Sequence, residues 1–175
     1  MSMPLIKLRI RFYGDPLLRK RAKPLRQVTE TERAIFEEML ELTRLSGGIG
    51  LAAPQVGFSK QMILVEIGQG PVMLVNPRIT KKSGFSSLEE GCLSLPGIYV
   101  KVRRAKKIVV SGLNEKNEPV SFPAQDLLAR VFQHEIDHLR GRLIIDYANF
   151  IQKIRLKKKL KSLKNGDAVE LYQPA

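Results

Sequence analysis

The chain has 175 residues, 43% hydrophobic and 27% charged, with 30 Lys and Arg against 17 Asp and Glu. That length favours one domain with its own core, no apolar run approaches the ~18 residues needed to span a bilayer, and a lone cysteine excludes an internal disulfide. The net charge of +13 favours encounters with polyanions, nucleic acid and the ribosome surface above all, although a solvated basic surface serving solubility has the same composition. Gly14-Asp15-Pro16 signals a turn, and Pro24 a further break. From Thr29 a helix is expected: Thr29 and Glu32 have capping-box spacing, Ile35, Met39, Leu42 and Leu45 recur at helical intervals, and Gly47-Gly48 end it. Strand-like runs follow at Met62 to Ile67, Val72 to Val75, Ile98 to Val102 and Ile108 to Leu113, then a hairpin turn at Asn114 to Asn117 before Val120 to Phe122. A second helix is predicted from about Gln125 to Arg140, stopping at Gly141, with Leu127, Val131, His134 and His138 on one stripe turned to the core. A third, from about Ala148 to Lys164, carries seven Lys and Arg from Lys153 onward and no acidic residue, with Ile151, Ile154, Leu160 and Leu163 near one side. The order helix, strands, helix, helix argues for an α+β fold with a mainly antiparallel sheet.

All the imidazole and thiol groups of the chain can be read as one metal site. His134-Glu135-Ile136-Asp137-His138 has the H-E-x-x-H spacing, which on a helix stacks both rings on one face about one turn apart. Two imidazoles so placed chelate one cation, and Glu135 between them is placed to handle protons. The bland alternative is a helix with two satisfied histidines and an exposed glutamate. A catalytic metal needs three protein ligands and an open position for water. No third histidine exists, and a downstream carboxylate is available only from Asp146, Asp167 or Glu170. Cys92 is the better candidate, because a thiolate is a strong ligand and Gly91 and Pro96-Gly97 suit a shaped loop around it. A lone cysteine taken by itself is more often a buried, inert thiol. Gly48-Ile49-Gly50-Leu51-Ala52-Ala53-Pro54-Gln55-Val56-Gly57 is a poor phosphate cradle, lacking a lysine and a following helix. It reads better as a tight segment bringing backbone close to a ligand, with Gln55 offering an amide donor.

Taken together, Gly48 to Gln55, Glu90 to Ser94 and Gln133 to His138 resemble the peptide deformylase family, which carries G-x-G-L-A-A-x-Q, E-G-C-L-S and Q-H-E-x-D-H in this order. A looser similarity runs from Gly14-Asp15-Pro16 through Asn76-Pro77 to about Tyr147. The resemblance implies antiparallel sheets packed around a central H-E-x-x-H helix, with N-terminal and C-terminal helices. It implies Cys92, His134 and His138 as metal ligands, Glu135 as the catalytic carboxylate, and Gln55 and the Leu93 N–H as donors to the formyl oxygen. Ile49, Leu88, Leu127 and Val131 are implied as walls of a methionine pocket, each equally able to be ordinary core. Gly50 and Gly91 are implied as backbone contacts to a peptide that adds as a strand. Glu90, Arg104 and Gln133 are expected behind the ligands, Glu90 and Arg104 as a pair bracing the Cys92 segment. The family metal is Fe²⁺, with Zn²⁺, Ni²⁺ or Co²⁺ able to substitute, whereas two imidazoles and a thiolate alone suit zinc. Two positions depart from the family pattern: Tyr99 stands where some members have arginine, and Arg130 replaces an apolar residue near the pocket rim.

The implied activity is hydrolysis of the N-formyl group from the formylmethionine of new polypeptides. A zinc endopeptidase, which would take a carboxylate rather than Cys92, is the nearest rival. A basic RNA-binding or ribosome-binding module with a structural metal is another, though an aromatic content of 6% offers few stacking platforms. Residues 1–147 are expected as the catalytic domain, 148–164 as a basic helix of the same domain docking on the ribosome, and 165–175 as a tail. A single cysteine and the lack of a signal-peptide core from Met1 to Arg11 suit a cytoplasmic protein, or one of an organelle stroma or matrix.

Overall fold

The computed structural model describes residues 8–68 and 70–165. Most of the expected tail, including Asp167 and Glu170, and residues 1–7 lie outside the described residues. Helix α1 (Glu30–Leu45) begins where expected, because Glu32 satisfies its open end: Oε2 accepts the Thr29 N–H at 2.9 Å and the Thr29 hydroxyl. Lys60 donates to the other oxygen of Glu32 at 2.6 Å. Ile35, Phe36 and Met39 form the buried face of α1 and pack with Leu51, Met62, Leu64 and Val75.

The strands are β1 (Gly50–Ala52), β2 (Met62–Val65), β3 (Val72–Glu90), β4 (Val100–Leu113) and β5 (Pro119–Gln125), forming one five-stranded sheet in the order β1-β2-β3-β4-β5. Every neighbouring pair is antiparallel. Strand β3 is far longer than the Val72 to Val75 run, and β4 joins two runs that the sequence separates. Register shifts near Asn76–Pro77 and at Thr80 bend the β3–β4 ribbon, whose β3 side is largely exposed from Arg78 to Glu89 and whose far end, Glu90 and Val100, is buried again. At the start of this bend Asn76, with φ 51°, exchanges both amide bonds with the Leu25 backbone at 2.9 and 2.7 Å. The β4–β5 hairpin turns where expected, with Asn117 in the left-handed region and its side chain accepting the Val28 N–H at 2.6 Å.

Helix α2 (Asp126–Leu139) lies across β1, β2, β4 and β5. Ala129, Phe132 and Ile136 bury against Ile63, Val65, Ile108 and Val110, while the polar stripe of the same helix faces the cavity described below. Pairing of β5 to β4 stops at Lys107, and α2 takes over that edge: the Gln133 amide binds both the N–H and the carbonyl of Ala105, at 3.1 and 2.9 Å. Helix α3 (Phe150–Asn165) differs from the expected apolar side. Leu156, Leu160 and Leu163 pack into a cluster with Leu18, Leu95, Ile98 and Ile144, whereas Ile151 and Ile154 point to solvent beside Phe150. No described helix is long and apolar enough to cross a membrane.

Candidate metal centre

Two elements bring the candidate ligand set together. Helix α2 supplies His134 and His138, whose ring centroids lie 5.0 Å apart, and the turn after β3 supplies Cys92. Cys92 Sγ is 3.3 Å from His138 Nε2, which is 3.3 Å from His134 Nε2, and all three atoms fall within 4.8 Å of one another. Nitrogens about 2.0–2.1 Å from one ion at a tetrahedral angle would be about 3.3–3.4 Å apart, so the spacing fits a shared cation. Among the described residues this is the His, Cys and carboxylate group able to hold a metal ion. The rival carboxylate is engaged elsewhere: Asp146 binds Arg19 at 2.6 Å and the Leu143 N–H at 2.9 Å.

Behind the ligands sits a buried charge network. Glu90, the last residue of β3, accepts from Arg104 at 2.7 and 2.8 Å, from Arg130 at 2.6 Å and from His134 Nδ1 at 3.0 Å. The last bond fixes the His134 proton on Nδ1 and turns Nε2, with its lone pair, to Cys92 and His138. Burial opposes the Glu90 charge, but the bonds from His134 and Arg104 outweigh it and hold the carboxyl at about 2. Arg104 also reaches Asp137 at 2.7 Å, and Asp137 accepts the Tyr147 hydroxyl at 2.7 Å. Burial likewise opposes the His134 charge, yet Cys92, Glu90 and Glu135 raise its proton affinity well above the usual histidine value. His138 moves the other way, through burial first and then the neighbouring His134 and Arg104 charges.

Glu135 faces the same space from the adjoining turn of α2. It is buried, Oε2 has no hydrogen-bond partner among the described residues, and burial raises its carboxyl to about 7. Such a group both takes and returns a proton near neutrality. Gly50 on β1 leaves it room, since a Cβ there would stand 2.6 Å from Glu135 Oε1 and 2.7 Å from Val131. Gln55 is fully buried in the 3₁₀ turn after β1; its Oε1 accepts the Ala52 N–H at 2.8 Å, and Nε2 donates to Ser94 at 3.2 Å and towards Cys92 Sγ at 3.6 Å.

A cavity of about 570 Å³ opens onto these groups. Ile49, Gly50, Gln55, Glu90, Gly91, Cys92, Leu93, Leu127, Val131, His134 and Glu135 all line it, with Tyr99 and Arg130. Leu127 is 52% exposed at its mouth rather than turned into the core. Leu88 is not among the lining residues; it is 56% exposed on β3. Gly91 lies beneath the Tyr99 ring, where a Cβ would be 3.1 Å from a ring carbon. His138 and Gln133 stand behind the wall. Sequence reasoning missed Asp137, though it lies inside the H-E-x-x-H segment, and Ser94 beside Gln55. It also missed Ser86 behind Arg130, for which the sequence carries no signal.

A partly buried His-His-Cys group, a carboxylate poised near neutrality and an apolar cavity on an antiparallel α+β scaffold define a candidate mononuclear metallohydrolase. The family model for polypeptide deformylases matches residues 7–154, and the chain belongs to that family. Among similar proteins, the peptide deformylase of Carboxydothermus hydrogenoformans is 47% identical over 143 residues, covering 81% of this chain and 94% of its own length. That of Halothermothrix orenii is 49% identical, covering 79% of this chain and 92% of its own. The crystal structure of the Thermotoga maritima peptide deformylase is 45% identical with a TM-score of 0.79, over 81% of this chain and 97% of that one. The Synechococcus elongatus enzyme, solved in complex with actinonin, is 36% identical with a TM-score of 0.84, over 100% of this chain and 94% of that one.

Proposed function

We propose that this chain hydrolyses the N-formyl amide of the N-terminal formylmethionine of newly made polypeptides, releasing formate and a free amine. The observation that carries the reading is the convergence of Cys92, His134 and His138 on one point beside buried Glu135, at the inner end of the cavity. A divalent cation bound by those ligands supplies Lewis acidity and makes water nucleophilic near neutral pH. The residues handle the rest. Glu135 accepts a water proton as oxygen bonds to the formyl carbon, and Gln55 Nε2–H and the Leu93 N–H donate to the formyl oxygen as charge gathers there. Glu135 then returns the proton to the nitrogen as the carbon–nitrogen bond breaks, and the formic acid ionises.

The methionine side chain enters the cavity between Ile49, Leu127 and Val131, with Leu88 outside its lining. The peptide backbone adds alongside β1, an edge strand that pairs only with β2 among the described residues. The metal is Fe²⁺, as the family resemblance implies, with Zn²⁺, Ni²⁺ or Co²⁺ able to replace it. Residues 1–147 act as the catalytic unit, α3 associates with the ribosome, and the cytoplasm is where such substrates emerge. Anaerobic purification, metal analysis and a formate-release assay on a formyl-Met peptide test the reading together. Stoichiometric iron and formate release are expected; cleavage of internal peptide bonds without formate would favour an endopeptidase instead.

A further inference from the structure

We propose that Arg130 is a positioning residue for the metal centre, acting through Glu90 on His134 while its aliphatic stem forms part of the cavity wall. The proposal rests on the metal-centre reading above. Arg130 lies one helical turn before His134 on α2, and its side chain is 7% exposed. Nη1 donates to Glu90 Oε1 at 2.6 Å and to the Val102 carbonyl at 3.0 Å. Nη2 donates to the Ser86 carbonyl at 3.0 Å and to the Ser86 hydroxyl at 2.9 Å. One guanidinium therefore ties the ligand-bearing helix to both β3 and β4.

Its effect on the ligand follows from donor arithmetic. A carboxylate offers about four lone-pair sites, and four donors reach Glu90: Arg104 Nε and Arg130 on Oε1, Arg104 Nη2 and His134 Nδ1 on Oε2. Arg104 alone does not secure this geometry, because its Nη1 is held by Asp137. With both guanidiniums present, two buried cations match the two carboxylates Glu90 and Asp137. Without Arg130 the two carboxylates compete for Arg104, and a small rotation of Glu90 away from His134 is the cheapest relaxation. His134 then loses the partner that aims its Nε2 at Cys92 and His138. An apolar residue here would supply the wall without the brace.

The test is a mutant cycle read by metal affinity. Zn²⁺ dissociation constants are measured by chelator competition for the unaltered protein, R130M, E90Q and the double variant, with kcat and KM of the zinc-loaded forms. Methionine keeps the stem, so R130M is expected to weaken Zn²⁺ binding by about 10–100-fold while KM stays within about twofold. In the E90Q background the same substitution is expected to cost no more than about threefold, since its route is already cut. An unchanged dissociation constant in R130M, or an equal loss in both backgrounds, would overturn the proposal; a rise in KM alone would leave Arg130 as mere wall. Should R130M not fold, R130K runs the same cycle under the same criteria, because an ammonium cannot span the four acceptors. Failure of the unaltered protein to bind Zn²⁺ would instead strike the metal-centre reading itself, which separates the two failures.

Discussion

In the proposed reaction Glu135 moves one proton twice, and its surroundings set what its loss should do. The side chain is buried, touches neither Arg104 nor Arg130 by hydrogen bond, and holds its proton to about pH 7 through burial. Glu135→Gln keeps the volume and removes the base. Turnover measured by formate release should fall by about 10²–10⁴-fold while metal analysis still finds one ion per chain. Near-normal turnover would take Glu135 out of the mechanism. Gly50 makes a sharper test of geometry. The methyl of Gly50→Ala would meet Glu135 Oε1 and Val131 Cγ1 at under-contact distances, and both belong to a helix packed on the sheet. Neither can retreat freely, so kcat/KM should drop by about 10²-fold through displaced Glu135, with metal content unchanged. Full activity in Gly50→Ala would show that β1 gives way instead.

At the scale of elements, α1 carries a measurable pH dependence. Burial disfavours the Glu32 charge, but the bonds from Lys60 and Thr29 outweigh it and lower its pKa from 4.5 to about 2. A folded-state pKa below the unfolded one adds stability above the unfolded value, and that contribution fades as pH falls from about 4.5 towards 2. Glu32→Gln should therefore cost about 1 kcal/mol near neutrality, and urea melts of the two proteins should converge between pH 4.5 and 2. A constant gap across that range would place the stabilisation elsewhere. The start of α1 was legible because Thr29 and Glu32 announce it locally. The pairing of His134 and His138 was legible because H-E-x-x-H encodes its own geometry, and the convergence of Cys92 on them because no other thiol exists. The β3–β4 ribbon was not legible. Lys81 to Ser87 has no alternation of apolar and polar residues, since that stretch is wet on both faces. Within β4, Arg104 hides the strand: a buried charge interrupts the expected pattern, and only its partners Glu90 and Asp137, distant in sequence, make it admissible. Arg130 was singled out at the pocket rim, but its contacts to Glu90 and Ser86 escaped for the same reason.

For the molecule as a whole, the placement of α3 links the basic surface to the cavity. Lys159 donates to the Gly97 carbonyl at 2.5 Å, and Gly97 lines the cavity mouth. Leu156, Leu160 and Leu163 anchor the helix, so truncation after Tyr147 would strip a core cluster and confound any binding assay. Surface variants avoid that. Phe150, Ile151 and Ile154 are exposed, with Lys157, Lys158 and Lys161 exposed beside them, and none of these lines the cavity. A face both cationic and apolar suits a polyanionic assembly, and its attraction is screened over ~10 Å at 0.1 M salt. Reversing charge at Lys157, Lys158 and Lys161 should lower ribosome co-sedimentation about tenfold or more at low salt, in line with the counterion-release slope per lost contact. Formate release from a free formyl-Met peptide should stay the same, because the cavity and its ligands are untouched. Sedimentation that ignores both the charge reversal and added salt would remove the ribosome role from α3 and leave the helix as a lid for the Leu95–Ile98 cluster alone.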